Sequence, residues 1–462
     1  MFFRQLLHGD LGCASYVVAD GGVGAVIDPK WEIEEYLQLA REHSFAIAHV
    51  LETHNHADHL SGRGRLAAAT GATIYVPPQT GLDFPHKTLA DGEAIEFGSV
   101  RIEALATPGH RPEHTAYLIY DRGRGEQPWA LLSGDSLFVG DIARPDLAVE
   151  AAEGARALFS SLKRLLALPD HVQVFPGHVG GSLCGSAAMS QAPGSTIGYE
   201  RRFNVLLGLT DEAQFVERAT AGLAPQPPNF KRIVELNRGP LITSAAALDR
   251  LEPAEVAELL SAGATLIDGR APADWAAAHV PGSLNVTIAG AAVGTRAAAA
   301  AEPAAPTVVT AASEADAERV ARRLEAVGFR DLRGILAAGI DGWRRAGMAL
   351  ASIESVDPTA LAQRLRARTV SLLDVRDREE WRAQHVPGSL HIPLVSLAAR
   401  LGDVRAHIDG APLAVGCGHG NRAALAASLL RRAGIERVIL LRDGGIADLG
   451  RHGVKLVGEG SG

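Results

Sequence analysis

An internal repeat in the C-terminal half is the feature that most constrains the fold of this 462-residue chain. Residues 265–286 (TLIDGRAPADWAAAHVPGSLNV) and 371–392 (SLLDVRDREEWRAQHVPGSLHI) are identical at 11 of 22 positions, at an offset of 106 residues. This period is too long for a solenoid and indicates two tandem domains. In each copy short apolar strands alternate with helices, which predicts an α/β domain with a parallel sheet.

The residues before the repeat form a different unit, in which short apolar strands recur. The proline-rich segment 222–230 indicates a boundary after it. We therefore expect three domains, over residues 1–235, 245–350 and 355–462. The alanine-rich stretch 289–306 is predicted to be a loop or a tolerated insertion inside the second domain. The strands predicted in the first domain are 16–19, 24–27, 46–51, 73–76, 100–106, 116–119, 129–132 and 172–175.

Composition and charge exclude several classes of function. The net charge of −8 argues against a nucleic-acid-binding protein, which usually carries a basic domain or stripe. No apolar run reaches the roughly 18 residues of a membrane-spanning helix, and the start of the chain does not resemble a signal peptide. Three cysteines in so long a chain exclude a disulfide scaffold and fit a reducing cytoplasm. We expect a cytoplasmic homo-oligomer with no nucleic-acid or membrane partner.

Side chains that commonly bind metal ions follow four of the predicted strands. They are His54, His56, Asp58 and His59 in T-H-N-H-A-D-H after 46–51, His110 in TPGH after 100–106, Asp135 in LLSGD after 129–132 and His178 in VFPGH after 172–175. Functional sites of open α/β sheets gather at the carboxyl ends of the strands. Imidazole and carboxylate ligands suit zinc, iron or manganese, so the sequence predicts a metal site there.

This pattern, T-H-x-H-x-D-H followed by P-G-H, G-D and P-G-H, resembles the metallo-β-lactamase fold over about residues 1–230. The resemblance implies an αββα sandwich and a metal site, but not a reaction, because the fold hosts hydrolases and oxidases alike. THNHADHLSG, GDSLFVGDIARPDL (134–147), PGHVGGSLCG (176–185) and STIGYERRFN (195–204) are similar to the persulfide dioxygenase branch.

The resemblance to persulfide dioxygenases implies one Fe²⁺ per chain, held by His54, His110 and Asp135. Two histidines and one carboxylate leave coordination positions open for a sulfur substrate and O2. Four further side chains would orient the ligands and the substrate, namely His56, Asp58, His59 and His178. Arg144 and Cys184 are candidate substrate-binding residues, whereas Cys13 is expected to be a packing residue.

Two other functions remain open for the first domain. All seven ligand types of a two-metal hydrolase are present, so a dinuclear Zn²⁺ thioesterase similar to glyoxalase II, with an accessory sulfurtransferase, is the main alternative. No glyoxalase-type helical thiol-binding tail is recognisable. A non-enzymatic sulfur carrier with a structural metal is the third hypothesis.

The loop around Cys417 in the last domain is a second candidate site. Residues 413–427 read LAVGCGHGNRAALAA, so an apolar strand leads into the cysteine and a helix follows. Glycines let backbone amides turn inward into an anion-binding nest. The helix N-terminus and Arg422 add positive charge, which favours a thiolate. The predicted substrate-binding residues are Gly418, His419, Gly420, Asn421 and Arg422.

C-x-x-G-x-R after an LDVR…HVPGS segment resembles rhodanese, a sulfurtransferase, over about residues 355–462. The resemblance implies that Cys417 is the catalytic residue and carries sulfane sulfur as a persulfide. Asp374 and Arg376 match a structural pair of that family, and His385 is expected to belong to the scaffold.

The middle domain departs from this pattern, because Ala311 stands at the position of Cys417 and Asp316 at that of Arg422. We therefore expect an inactive rhodanese-like domain that repels anions. Sulfane sulfur is the substrate that the two remaining sites share. The combined resemblance implies oxidation of a low-molecular-weight thiol persulfide by O2 to sulfite and thiol. Sulfur transfer through Cys417 would then give thiosulfate, or run in reverse.

Overall fold

The computed structural model describes residues 1–180, 182, 184–186, 188–408 and 410–458. The chain forms two compact units. The first contains residues 1–226 and 230–245, and the second contains residues 227–229 and those from 246 onward. Within the described ranges, no helix combines the length and the apolar character that a membrane crossing requires.

Two six-stranded sheets form the centre of the first unit. The first sheet runs in chain order through β1 (Phe2–His8), β2 (Cys13–Asp20), β3 (Val23–Ile27), β4 (Ala46–Leu51), β5 (Thr73–Val76) and β6 (Lys87–Thr88). The second sheet has the order β14-β13-β10-β9-β8-β7, with β7 (Ala94–Phe97), β8 (Val100–Ala106), β9 (Thr115–Asp121), β10 (Ala130–Gly134), β13 (Gln173–Pro176) and β14 (Ser195–Thr196). A separate short pair consists of β11 (Leu137–Phe138) and β12 (Asp141–Ile142).

Helices cover the outer faces of both sheets. They are α1 (Glu34–Glu42), α2 (Arg63–Thr70), α3 (Ala151–Leu165), α4 (Ile197–Phe203), α5 (Glu212–Thr220) and α6 (Phe230–Arg238). Tyr36 of α1 and Leu66 of α2 pack on the first sheet, whereas Leu158 of α3 and Phe215 of α5 pack on the second. Tyr16 and Tyr117 belong to a third cluster, between the sheets. These layers confirm the predicted αββα sandwich.

Sheets covered on both sides explain why the strands were visible in the sequence as apolar runs. Strands β4, β5 and β8 have the predicted bounds, whereas β2, β9 and β10 begin or end one to three residues away from them. β1 and β7 were not predicted. β7 alternates buried Ile95 and Phe97 with the exposed Glu96, a pattern too short to stand out from a loop.

The second unit contains two five-stranded parallel sheets of the same topology. The first, ordered β15-β19-β18-β16-β17, consists of β15 (Arg250–Leu251), β16 (Thr265–Asp268), β17 (Leu284–Asn285), β18 (Thr307–Thr310) and β19 (Leu332–Leu336). The second, ordered β20-β24-β23-β21-β22, consists of β20 (Glu354–Val356), β21 (Ser371–Asp374), β22 (Leu390–His391), β23 (Leu413–Gly416) and β24 (Val438–Leu441). Strands β16 and β21, like β18 and β23, lie one repeat apart. The predicted pair of parallel-sheet α/β domains is confirmed.

The helices of the second unit lie between these strands along the chain. The middle domain, formed by the first repeat, has α7 (Pro253–Ser261), α8 (Pro272–Ala277), α9 (Val293–Ala298), α10 (Glu314–Glu325) and α11 (Gly339–Arg345). The last domain, formed by the second repeat, has α12 (Pro358–Arg366), α13 (Arg378–Ala383), α14 (Leu394–Leu397), α15 (Leu401–His407) and α16 (Asn421–Arg432), with 3-10 turns at Ala398–Arg400 and Ile446–His452.

The alanine-rich stretch 289–306 is a loop only in part. It contains α9, whose residues are mostly buried and which packs against α10. A Cβ on Gly294 would lie 2.4 Å from the carbonyl oxygen of Arg323, so the two helices approach closely at this glycine. The helix was missed because small residues were interpreted as low complexity, whereas here they permit close helix packing.

Candidate metal centre and cysteine loop

His54, His110 and Asp135 converge at the carboxyl ends of β4, β8 and β10. One donor atom from each side chain lies within 4.8 Å of the other two, and all three side chains are buried. Asp135 Oδ2 has no hydrogen-bond partner among the described residues and lies 3.4 Å from His110 Nε2. A buried carboxylate oxygen is costly to leave unpaired, so this donor set fits a cation bound between the three residues.

Hydrogen bonds fix the tautomers of both histidines. Thr53 Oγ1 donates to Asp28 Oδ2 over 2.8 Å, so it accepts the bond from His54 Nδ1, 2.9 Å away. His110 Nδ1 donates to the carbonyl oxygen of Arg144 over 2.9 Å. With Nδ1 protonated in each ring, the lone pair is on Nε2 and is free to bind a metal.

The charge states of the three residues also suit metal binding. Burial lowers the pKa of His54 well below its usual range, and the neighbouring His56 and His110 lower it further. Burial also lowers the pKa of His110. Burial alone would raise the pKa of Asp135, but the charge and hydrogen bond of His178 and the charge of His110 together outweigh burial and lower the pKa to about 2. Two neutral imidazoles and an ionised carboxylate are the forms that bind metals.

His178 connects this triad to Asp58. Its Nδ1 lies 2.9 Å from Asp135 Oδ1, and its Nε2 lies 2.9 Å from Asp58 Oδ2. Burial alone would lower the pKa of His178, but Asp135 and other nearby groups raise it well above the usual range. Because both nitrogens donate to carboxylates, the ring has no lone pair for a metal in this arrangement. Cys13 Sγ donates to the same Asp58 oxygen over 3.1 Å.

His56 and His59 also lie within hydrogen-bonding distance of carboxylates. His56 Nε2 lies 3.2 Å from Asp28 Oδ1 and 3.1 Å from Glu52 Oε2. Burial alone would lower its pKa, but these carboxylates raise the pKa of His56 to about 10. His59 Nδ1 lies 3.1 Å from Asp58 Oδ1, while its buried Nε2 has no hydrogen-bond partner in the described structure.

Asn237 of helix α6 fixes the histidine loop, the segment after β4 that carries His54, His56 and His59. Asn237 was not among the predicted site residues. Asn237 Oδ1 accepts a hydrogen bond from the backbone N–H of Ser61 over 3.0 Å. Its Nδ2 donates to the carbonyl oxygens of His56 and His59, over 3.1 and 2.8 Å. One buried side chain therefore satisfies three backbone groups of the loop.

Several residues of the site were not predicted from the sequence. His114 Nε2 accepts from the backbone N–H of Asp135 over 2.8 Å, and burial lowers the pKa of His114 to about 3. Its position four residues after His110 was a usable signal. No sequence signal pointed to Asp28 or Asn237, because both are distant along the chain from the residues that they contact. Cys13 was expected to be a packing residue, but its thiol contacts Asp58 within the site.

Arg144 and Cys184 were predicted to bind substrate. Arg144 is buried, and its guanidinium donates to both carboxylate oxygens of Asp146 over 2.6 and 2.8 Å, so it does not present a free cation to the site. Cys184 is buried near the triad, with its Sγ within 4.8 Å of donor atoms of Asp135 and His178. Burial raises the pKa of the Cys184 thiol well above its usual range.

The loop from Cys417 to Arg422 connects β23 to α16. The backbone N–H of Gly420 donates to Cys417 Sγ over 3.1 Å, and the thiol is buried. Gly420 has a φ of +91°, a conformation that side chains rarely adopt. Gly445 packs on the loop so closely that a Cβ would overlap the carbonyl of Gly418. The backbone is therefore shaped around the sulfur.

Arg422 does not stand as an isolated positive charge. Its Nη1 lies 2.9 Å from Asp377 Oδ2 and 2.6 Å from Glu380 Oε2, and its Nη2 lies 2.8 Å from Glu380 Oε1. Asn421 Nδ2 donates to the carbonyl oxygen of Ala289 in the middle domain over 3.3 Å. His419 is exposed on the loop.

The residues expected to be structural in the rhodanese-like repeats have structural contacts. Arg376 forms two hydrogen bonds to the buried carboxylate of Asp374, with Nη2–Oδ2 at 2.6 Å. His385 stacks on Trp381, with ring centroids 3.7 Å apart, and its Nδ1 donates to the Trp381 carbonyl oxygen. In the middle domain Arg270 and Asp268 form the same pair.

Comparison with known proteins agrees with these two units. Residues 8–178 match the Metallo-beta-lactamase superfamily, and residues 252–346 and 357–451 each match the Rhodanese-like domain. A hydroxyacylglutathione hydrolase of Rhodospirillum rubrum is 33% identical over 34% of this chain and 57% of its own length. The chain thus spans little more than half the length of that curated relative.

Two solved structures extend the comparison. A metallo-beta-lactamase from Staphylococcus aureus subsp. aureus COL is 27% identical, with a TM-score of 0.65, covering 73% of this chain and 98% of its own. ETHE1 from Myxococcus xanthus is 28% identical with a TM-score of 0.45, covering 52% of this chain and 98% of its own. From these matches and the observed sheets, the chain consists of an N-terminal metallo-β-lactamase domain followed by two rhodanese-like domains.

Proposed function

We propose that this chain oxidises a low-molecular-weight thiol persulfide with O2 and passes sulfane sulfur through Cys417. The first reaction is RSSH + O2 + H2O → RSH + SO3²⁻ + 2H⁺. The observation that carries the proposal is the buried donor set of His54, His110 and Asp135, beside which His178 donates from both nitrogens. Such a set supports one Fe²⁺ per chain with positions open for substrate.

Iron bound at this site supplies the redox chemistry that joins oxygen to the terminal sulfur. Three residues of the chain would hold the iron: His54 and His110 through Nε2, and Asp135 through Oδ2. Asp135 stays ionised because His178 donates to its other oxygen. His114 fixes the backbone at Asp135 by accepting its N–H. Burial of all these groups keeps bulk water away from the reacting sulfur.

The second reaction takes place at Cys417. Sulfite attacks the outer sulfur of a Cys417 persulfide, a new S–S bond forms, and the bond to Sγ breaks. The electron pair of that bond stays on Sγ, and the Gly420 N–H donates to the resulting thiolate. The products are thiosulfate and the free cysteine, and the reverse reaction loads Cys417 from thiosulfate.

The second candidate function is a dinuclear zinc thioesterase. The hydroxyacylglutathione hydrolase relatives favour it, and so does the cluster of His56, Asp58 and His59, whose donor atoms lie within 4.8 Å of one another. This function requires His178 or its neighbours to give up their carboxylate partners to a second metal. Thioester hydrolysis at the metal site would also neither supply nor consume the sulfane sulfur that is proposed to pass through Cys417.

Oxygen uptake with glutathione persulfide or coenzyme A persulfide separates the candidates. A dioxygenase consumes O2 and forms sulfite, a thioesterase releases thiol from a thioester without O2, and a carrier does neither. We expect elemental analysis of anaerobically purified protein to give one iron per chain. Two zinc ions per chain with no oxygen uptake would contradict the proposal.

His54→Ala tests the metal site directly. It should abolish oxygen uptake and lower the iron content while the fold, followed by circular dichroism, is retained, since His54 lies in a loop at a strand end. The exposed His171 is the matched control, and His171→Ala should retain both iron and activity.

A further inference from the structure

The middle domain contains a cavity at the position that corresponds to the Cys417 loop. It has a volume of about 260 Å³ and opens at the carboxyl ends of β18 and β19. Thr310 and Ala311 line it, one repeat before Gly416 and Cys417. The apolar part of the lining comes from Ala317, Ile335 and Ile340. The cavity therefore lies at the position that the cysteine loop occupies in the last domain.

Thr310 is the side chain in this cavity that points to a ligand. The residue is fully buried, and its Oγ1 has no hydrogen-bond partner among the described residues. A Cβ added to Gly339 at the start of α11 would lie 3.6 Å from this hydroxyl. A buried hydroxyl without a partner is unfavourable by itself, so a bound acceptor would stabilise it.

The N-terminus of the 12-residue helix α10 provides further donors. Ser313 is its N-cap and accepts from the backbone N–H of Asp316, so the N–H groups of the residues between them have no partner within the helix. Helix N-termini favour anions. Ser313 and Glu314 line the cavity together with Thr310, which brings these donors and the hydroxyl to the same space.

The charges around the cavity are balanced and do not exclude an anion. Glu314 Oε2 accepts from Arg250 Nε over 3.1 Å, and Asp341 Oδ1 accepts from Arg344 Nη1 over 2.7 Å. Asp316, from which we expected repulsion of anions, is outside the described lining. Its carboxylate accepts from Ser313 Oγ and from Arg319.

Two arginines, Arg270 and Arg344, are also among the lining residues. Arg270 is held by Asp268, whereas the exposed Arg344 is at the outer wall. We propose that the middle domain binds a small inorganic oxyanion without covalent chemistry in this cavity, with Thr310 Oγ1 and the first turn of α10 as donors. This proposal does not depend on the reaction at the metal site.

Calorimetric titration of the full chain carrying Cys417→Ser tests the proposal, with thiosulfate, sulfite and phosphate as separate probes. Thr310→Val keeps the shape but removes the hydroxyl, and should weaken binding at one site about tenfold or more. Thr307→Val is the matched control, because Thr307 is equally buried in the same strand, donates to Ala305 and lies outside the described lining. Tighter binding of the sulfur oxyanions than of phosphate would identify the ligand class more narrowly.

Two exposed arginines provide a second comparison that does not risk the fold. Arg344→Gln should weaken the same binding event, whereas Arg345→Gln, at a neighbouring exposed position outside the described lining, should not. Arg422→Gln identifies binding at the last domain. The proposal is overturned if no probe binds, or if all binding is lost in Arg422→Gln and Thr310→Val titrates like Thr307→Val.

Discussion

The guanidinium of Arg422 lies beside the Cys417 loop, and two carboxylates balance its charge. Burial alone would raise the pKa of Glu380, but the hydrogen bonds and charge of Arg422 outweigh burial and lower it. The pair is therefore ionised at neutral pH. A loop with a balanced arginine attracts dianions such as thiosulfate less strongly than the loop motif alone implies. The attraction of an anion to this loop therefore depends on the carboxylates that pair with Arg422 as well as on the arginine itself.

Glu380→Gln tests this balance of charge. The amide can still accept the capping hydrogen bond of Asp377, but it removes one negative charge at a half-exposed position. A charge of this kind is worth about 1 kcal/mol, so the KM for thiosulfate in sulfurtransferase assays should fall about fivefold. Glu379→Gln, an exposed neighbour paired with Arg382, is the control and should leave KM unchanged. An unchanged KM in Glu380→Gln would show that Arg422 does not contact the anion.

Helices α6 and α9 illustrate what local sequence patterns reveal and what they miss. The metal-binding candidates were visible because each follows an apolar strand directly, as His110 follows β8. Asn237 was not, because its partners His56 and His59 are nearly 180 residues away. Helix α9 was missed for a related reason, since the partner helix that buries Gly294 lies later in the chain. Contacts between distant segments leave no periodic signal.

Asn237→Ala tests the role of α6. Removal of the side chain leaves three buried backbone groups of the histidine loop without partners, which should lower the free energy of unfolding by about 3 kcal/mol. Because the loop carries His54, we also expect iron affinity to fall about tenfold, measured by competition with a chelator. Glu235→Ala, on the exposed face of the same helix, should change neither quantity. Unaltered metal affinity in Asn237→Ala would mean that the loop holds its shape alone.

Gly294→Ala tests the packing of α9. The added methyl group would lie 2.4 Å from the Arg323 carbonyl oxygen and 2.5 Å from Val327 Cγ2, so the helices must move apart. Such overpacking costs about 2 kcal/mol, which thermal unfolding would report. Gly402→Ala in α15 is the matched control, since a Cβ there meets no atom within 4 Å and alanine favours a helix. Equal stability of the two variants would contradict close contact at Gly294.

For the molecule as a whole, the repeat predicted two domains of similar fold. The two domains differ in the loop that contains Ala311 in the middle domain and Cys417 in the last domain. Both repeats keep the buried aspartate–arginine pair, as Asp268 with Arg270 and Asp374 with Arg376, because it holds the same turn in each domain. The cysteine loop differs between the two domains, with Ala311 in one and Cys417 in the other, and it follows the end of β18 or β23 rather than lying within a strand. The residues that follow a strand can therefore differ while the fold stays the same.

Cys417→Ser tests whether the metal site and the cysteine loop act in sequence. Serine cannot form a persulfide but is close to cysteine in size, so oxygen uptake should remain near the wild-type rate while the product changes from thiosulfate to sulfite. His54→Ala provides the reciprocal control: supplied with sulfite and persulfide, it should still form thiosulfate. Chromatographic analysis of the sulfur products, corrected for the spontaneous reaction of sulfite with persulfide, measures both. Thiosulfate formation at the wild-type rate in Cys417→Ser would exclude Cys417 as the transfer residue. Loss of oxygen uptake would mean that the metal site depends on sulfur delivered by this cysteine.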